Sequence, residues 1–191
     1  MAQNRTITLQ NQISKAAVEL LIILAGSCFL ALLSQVAIPL PMTPVPMTLQ
    51  TLGVFLLAAV LGSRRAAYSV LAYLIQGTCA LPVFAGGIAN PLWFLEPKAG
   101  FLASFAIVAF LIGRLVEKRR DATTLYFLCA FTLGQLVIFA VGMLWLALYV
   151  GMPKAFVFGV VPFLSGAGVK ICTATLLLKG YYASRKSSLT K

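Results

Sequence analysis

Long apolar runs constrain this chain more than any other feature of its sequence. Six of them fall at residues 16–38, 47–62, 66–84, 100–116, 125–150 and 155–178. A helix needs about 20 mostly apolar residues to cross a bilayer, and fewer where neighbouring helices bury it. Hydrophobic residues make up 61% of the chain and charged residues 10%, against about 45–50% and about 25% in soluble domains. The sequence therefore predicts an all-α integral membrane protein with six transmembrane helices.

The basic residues predict how these helices are oriented. Of the 15 Lys and Arg, 12 fall on one side: Arg5, Lys15, Arg64, Arg65, Arg114, Lys118, Arg119, Arg120, Lys179, Arg185, Lys186 and Lys191. Cytoplasmic loops carry an excess of Lys and Arg, so we expect a multi-pass protein of the cell membrane with both termini cytoplasmic. This division gives a cytoplasmic N-terminal segment at 1–15, one membrane domain at 16–180 and a polar cytoplasmic tail at 181–191.

Several functional classes are disfavoured by what the sequence lacks. Histidine is absent, and the carboxylates are limited to Glu19, Glu96, Glu117 and Asp121. The cysteines stand singly in apolar stretches, without metal-binding spacing, at Cys28, Cys79, Cys129 and Cys172. No ATPase phosphate-binding loop occurs in the sequence. We therefore predict no enzymatic activity and no cofactor. The net charge of +11 is attributed to orientation and membrane lipid, with no nucleic-acid partner.

Four prolines within eight residues interrupt the apolar pattern, at Pro39, Pro41, Pro44 and Pro46. Proline fixes φ and lacks an N–H, so a helix cannot run through this stretch. Its apolar flanks place it near membrane depth, where irregular backbone must be buried by protein or must line a watery cavity. Two interpretations remain open. The stretch is either a stiff connection between helices or a gate loop that closes over a ligand with little loss of entropy.

A second irregular stretch, at residues 82–97, is predicted on the same outer side. Gly86 and Gly87 permit backbone conformations that other residues avoid, and Asn90 offers both a donor and an acceptor. The stretch also carries three large aromatic residues, Phe84, Trp93 and Phe94. They form either a membrane-interface belt or the edge of an apolar pocket. Two irregular segments on one side indicate a ligand entrance.

Lys170 is the charged residue deepest within a predicted span. A charge at the centre of a membrane helix costs about 2.5–3.5 kcal/mol on insertion scales. No acidic residue lies within one turn of it. Its neighbours three and four residues away are all small: Gly166, Ala167, Thr173 and Ala174. Lys170 either pairs or snorkels for structural reasons, or it binds an anionic or strongly polar ligand.

Four segments of the sequence resemble the BioY family. They are the run from Ile38 to Val54 (IPLPMTPVPMTLQTLGV), Ala72-Tyr73, Leu81 to Gly87 (LPVFAGG), and Pro162-Phe-Leu with Gly166 and Lys170. Members of this family are the biotin-binding S components of energy-coupling factor transporters. The resemblance extends over roughly residues 16–180. It implies a six-helix S-component bundle with an outward-facing biotin site, and partnership with a transmembrane coupling protein that carries two ATPase subunits.

The pattern and the resemblance together give a set of candidate site residues. The predicted substrate-binding residues are Thr43, Gln50, Tyr73, Phe84, Gly86, Gly87, Asn90 and Lys170. The predicted gate loop contains Pro39, Pro41, Pro44 and Pro46.

The chain departs from the family pattern at two places. The family often has Pro-Gly-Asp-Leu-x-Lys in the last span, where this chain reads SGAGVK and Ala167 replaces the aspartate. The family's Gly-Pro-Thr-Gly-Gly-Tyr reads EPKAGF here, from Glu96 to Phe101. A usual hydrogen-bond acceptor is therefore missing, and Asn90, Gln50 or Glu96 could replace it. An S component for another small vitamin, or a membrane scaffold without transport, remains an alternative function.

Overall fold

The computed structural model describes residues 2–119 and 123–189, with side chains at 12–119 and 123–184. The helices are α1 (Ala2–Gln35), α2 (Gln50–Leu61), α3 (Ser63–Thr78), α4 (Ala99–Lys118), α5 (Thr124–Val150), α6 (Met152–Gly159) and α7 (Leu164–Leu189). Short 3₁₀ turns occupy Trp93–Leu95 and Val161–Phe163. Arg120, Asp121 and Lys191, which entered the charge argument, lie outside the described residues.

Helices occupy all six predicted apolar runs, but not all of them have the length of a membrane span. In the described part of the chain, four segments are long and apolar enough to cross a bilayer: Gln12–Gln35, Ala99–Lys118, Thr124–Val150 and Met152–Ser184. The helices of two other predicted runs are shorter, α2 with 12 residues and α3 with 16. The fold is therefore mostly helical, and the count of six spans stays a prediction.

Two of the predicted runs are interrupted in the structure, and each interruption has a local cause. The run at 66–84 stops being helical at Thr78, because Ala80 has a φ of 62° and Pro82 pushes the residue before it away from helical geometry. The last run is divided between α6 and α7 by the turn around Pro162, whose ring cannot continue the helical hydrogen bonds.

The proline-rich stretch is closed by a small β ladder rather than left as an open connection. Ala37–Ile38 (β1) pairs antiparallel with Met47–Thr48 (β2), with Ala37 opposite Thr48 and Ile38 opposite Met47. The ladder pairs backbone groups of the residues on either side of the prolines. The prediction of a purely helical chain thus misses this one short element, which holds residues 39–46 in a hairpin-like loop.

Helix α4 is central to the packing, because it contacts α2, α3 and α5. Its residues Val108, Ala109 and Ile112 are fully buried. At its C-terminal end, Glu117 accepts hydrogen bonds from the backbone N and side-chain Oγ of Ser63, at 2.7 Å from the nitrogen. This carboxylate satisfies amide donors at the start of α3, where helices leave them unpaired. The α2–α3 hairpin is therefore fastened to the end of α4.

We predict that Gly113→Ala destabilises the fold where α4 crosses this hairpin. A Cβ at Gly113 would overlap the backbone of Gly62 and Ser63, and backbone cannot move aside as a side chain can. Overpacking of this kind typically costs about 1–3 kcal/mol, which thermal unfolding in detergent would detect. Gly180→Ala is the matched control, because a Cβ there meets open space and alanine favours a helix. Equal midpoints for the two variants would contradict the close approach.

Candidate functional site

A cavity of about 680 Å³, including the solvent at its opening, lies between two loops and helices α2, α4, α5 and α7. The two loops are residues 39–46, called the proline loop below, and residues 82–97. Its apolar lining consists of Val45, Pro46, Phe84, Ala85, Phe101, Leu102, Phe105, Ile138, Phe139, Phe163 and Ala167. Its polar lining consists of Thr48, Gln50, Thr51, Lys98, Gln135 and Lys170. The two irregular segments predicted to form an entrance do converge on one cavity.

Gln50 contributes to the cavity wall an amide that is hydrogen-bonded to two other side chains. Its Nε2 donates to the Tyr73 hydroxyl oxygen at 2.6 Å, and its Oε1 accepts from Thr48 Oγ1 at 3.0 Å. The Thr48 hydroxyl also accepts from the backbone N of Gln50 at 3.3 Å, which ties the first turn of α2 to β2. Both ends of this amide are engaged, so its orientation is fixed before any ligand arrives.

Tyr73 is fully buried behind the lining rather than in it. Besides its contact with Gln50, its ring meets Phe84 edge-on, with centroids 5.6 Å apart and planes at 88°. Phe84 is itself almost fully buried and does line the cavity. Tyr73 is therefore a positioning residue that holds one polar and one aromatic wall residue in place.

The two lysines of the cavity differ in their pairing. Lys98 Nζ lies 2.7 Å from Glu96 Oε2. Lys170, on α7, has no carboxylate partner among residues 12–119 and 123–184. Its neighbour in the lining, Ala167, offers no side-chain acceptor. The described cavity wall therefore carries one neutralised cation and one that is available to an anion.

Asn90 and the two glycines shape the 82–97 loop without lining the cavity. Asn90 Nδ2 donates to Glu96 Oε1 at 2.5 Å, and Asn90 Oδ1 accepts from the backbone N of Leu92 at 2.9 Å. Gly86 and Gly87 adopt φ angles of 78° and 71°, which favour glycine. They make the turn in which the backbone N of Gly87 donates to the carbonyl of Phe84 at 3.0 Å.

The proline loop meets the cavity only at its C-terminal end. Pro46 and Val45 line it, whereas the other prolines are exposed and lie outside the lining: Pro39, Pro41 and Pro44. Thr43 is also outside the lining, and its Oγ1 accepts from the backbone N of Val45 at 3.2 Å. Its hydroxyl therefore stabilises a turn in the loop.

Sequence reasoning missed several lining residues, among them Gln135 and the aromatic walls of α4 and α5. Gln135 carried a usable signal, since it is an uncharged polar residue within the apolar run 125–150, as Lys170 is within the last run. Phe101, Phe105 and Phe139 carried none, because phenylalanine is common on every face of a membrane helix. Lys98 was noticed only as part of the EPKAGF departure, and its place in the cavity depends on the loop that precedes α4.

Comparison with known proteins agrees with this architecture. The sequence matches the profile of the BioY family over residues 4–187. It is 39% identical to the "Probable biotin transporter BioY" of Pyrococcus horikoshii over 150 residues, which cover 78% of this chain and 88% of that one. It is 38% identical to the "Biotin transporter BioY" of Rhizobium etli over 149 residues, covering 73% and 79%.

A solved structure has the same fold. The crystal structure of the S-component for biotin from an ECF-type ABC transporter superposes with a TM-score of 0.79 and 24% identity, over 89% of this chain and 93% of that one. The profile match extends over nearly the whole chain, and the two relatives are matched over most of their own length. The chain is a multi-pass membrane protein and belongs to the BioY family.

Proposed function

We propose that this chain is the substrate-binding S component of an energy-coupling factor importer and that its substrate is biotin. The observation that carries the proposal is the cavity itself. It combines aromatic walls with one lysine, Lys170, that no described carboxylate neutralises. The named function of its relatives, "biotin transporter", supports the same substrate. The function is binding and transport rather than catalysis.

The chemistry of biotin matches this lining. Biotin is a fused bicyclic ring with a ureido group at one end and a valerate carboxylate at the other. The ring system needs apolar walls, which Phe101, Phe105 and Phe139 supply. The carboxylate needs a cation. Lys98 is already paired with Glu96, so Lys170 is the group that we assign to it.

The remaining predicted residues take different parts in this proposal. Gln50, Phe84 and Pro46 contact the substrate, while Tyr73 positions the first two. The proline loop acts as the gate. The other predicted residues shape the two loops that border the cavity: Thr43, Pro39, Pro41 and Pro44 in the proline loop, and Gly86, Gly87 and Asn90 in the 82–97 loop. Closing such a loop loses little entropy, because proline limits its conformations beforehand.

Transport requires partners that supply energy. The sequence has no phosphate-binding loop of the ATPase type, so ATP hydrolysis belongs to other subunits. We propose a transmembrane coupling protein with two ATPase subunits, as the family resemblance implies. In the cell membrane, the six-span domain at 16–180 would then have the segments 1–15 and 181–191 on the cytoplasmic side.

The first prediction tests the substrate. Excess biotin should raise the thermal unfolding midpoint of the purified protein, because a ligand that binds only the folded state stabilises it by about 2.7 kcal/mol at 100 times its Kd. Riboflavin and thiamine serve as comparison vitamins. A shift with one of these instead of biotin would favour an S component for another vitamin, and no shift with any vitamin would favour a scaffold.

The second prediction concerns Lys170→Met, which keeps the length of the side chain but removes its charge. Losing a charged hydrogen bond costs about 1.5–3 kcal/mol, or roughly 10- to 150-fold in affinity. Titration calorimetry should show this loss for biotin. The ligand-free variant should be no less stable, because a half-buried cation without a described carboxylate partner has been removed.

Two comparisons make the Lys170 test specific. Lys154→Met, at an exposed position outside the cavity, should leave biotin affinity unchanged. Biotin methyl ester, which lacks the carboxylate charge, should bind unaltered protein weakly and should lose nothing more in Lys170→Met. Wild-type affinity of Lys170→Met for biotin would show that this lysine is structural.

The third prediction concerns orientation. In a background without native cysteines, Arg64→Cys should react with an impermeant thiol reagent only from the cytoplasm, and Ala89→Cys only from outside. Both positions are exposed in the structure, so accessibility depends on the side of the membrane alone. The reverse labelling pattern would place the cavity opening on the cytoplasmic side and contradict the proposed direction of uptake.

A further inference from the structure

Gln135 lines the cavity and carries a buried hydrogen-bond acceptor that has no partner in the described protein. It lies in the middle of α5, is 6% exposed, and lines the cavity together with Ile138 and Phe139. No donor in the described part of the chain reaches its Oε1. Most buried polar atoms in proteins are paired, and an unpaired one costs about 1–3 kcal/mol. A group that costs stability and faces a binding cavity indicates a ligand.

The other glutamine of the cavity, Gln50, differs from Gln135 in its hydrogen bonding. Gln50 is held at both ends of its amide, by the Tyr73 hydroxyl at 2.6 Å and by Thr48 Oγ1 at 3.0 Å. Gln135 makes no side-chain hydrogen bond with any described residue. The protein has therefore paired both ends of one amide and left the donor and acceptor of the other unpaired among the described residues.

We propose that Gln135 recognises the ureido edge of the substrate, an inference that rests on the proposed biotin function. A cyclic urea presents an N–H and a C=O side by side, and a primary amide presents the complementary pair. Oε1 accepts from the ring N–H, and Nε2 donates to the ring carbonyl. Both contacts are between neutral groups, so they need no further charge in the apolar wall.

This assignment separates the two ends of the ligand by chemistry. Lys170 on α7 takes the anionic carboxylate, and Gln135 on α5 takes the neutral ureido group. Ala167, which also lines the cavity, has no side-chain acceptor for a ligand N–H. Gln135 thus makes the site selective for cyclic ureas and lactams over rings of similar shape that have no N–H, such as cyclic carbonates.

The test compares Gln135→Leu with Gln76→Leu in the full-length protein. Leucine has a similar size but cannot form hydrogen bonds, so biotin affinity of Gln135→Leu should fall roughly 10- to 100-fold. Its ligand-free unfolding midpoint should stay the same or rise, because an unpaired buried amide has gone. Gln76 donates to Ser27 Oγ at 3.0 Å and lies outside the cavity. Gln76→Leu should lower stability while leaving affinity unchanged.

A ligand-side measurement gives an independent answer on unaltered protein. In two cyclic carbamate analogues of biotin, one or the other ureido N–H is replaced by oxygen, which removes a donor without adding bulk. One of the two should bind roughly 10- to 100-fold more weakly than biotin. Gln135→Leu should bind that analogue and biotin equally. This measurement also decides the matter if Gln135→Leu does not fold.

The outcomes distinguish this inference from the function on which it rests. If unaltered protein does not bind biotin, both are overturned. If it binds biotin but neither carbamate binds more weakly, or if Gln135→Leu retains full affinity, only the role of Gln135 is overturned. A loss of ligand-free stability in Gln135→Leu with unchanged affinity would likewise make Gln135 a structural residue.

Discussion

Backbone polar groups at membrane depth must find their partners within the protein, and this constraint governs the structure. Helices satisfy it along most of the chain. Where prolines exclude a helix, the ladder between Ala37–Ile38 and Met47–Thr48 takes over. Where α3 begins, the Glu117 carboxylate accepts from Ser63. The proline loop and the 82–97 loop lie against the bundle and contribute cavity walls, and each has internal backbone hydrogen bonds.

The same constraint explains how charge is distributed around the cavity. Glu96 serves two groups, Lys98 on one side and Asn90 on the other, and so joins the 82–97 loop to the start of α4. That arrangement uses the carboxylate and one lysine for structure. Lys170 is left with no described carboxylate to neutralise it, so the wall keeps one positive charge. A monoanionic, largely apolar substrate is the ligand that neutralises such a wall.

The two cavity glutamines also differ in whether the protein pairs them. Gln50 is fixed by Thr48 and Tyr73 and in turn supports the wall made with Phe84. Gln135 is equally buried but unpaired among the described residues. Side chains of one type in one cavity therefore differ in their pairing, which is set by what the surrounding elements place within reach.

The sequence by itself determined the membrane class, the helical runs and the interrupted proline segment, because hydropathy and proline geometry are local properties. It also singled out Lys170, which the structure places in the cavity lining. The BioY resemblance rested on the same local runs. Only the tertiary structure decided which residues line the cavity. Asn90 was predicted as a ligand group but bonds to Glu96, while Gln135 and Lys98 entered the lining unpredicted. Hydrogen-bond partners and cavity walls come from different elements of the chain. The spacing of residues along one helix does not predict which residues of another element lie against it.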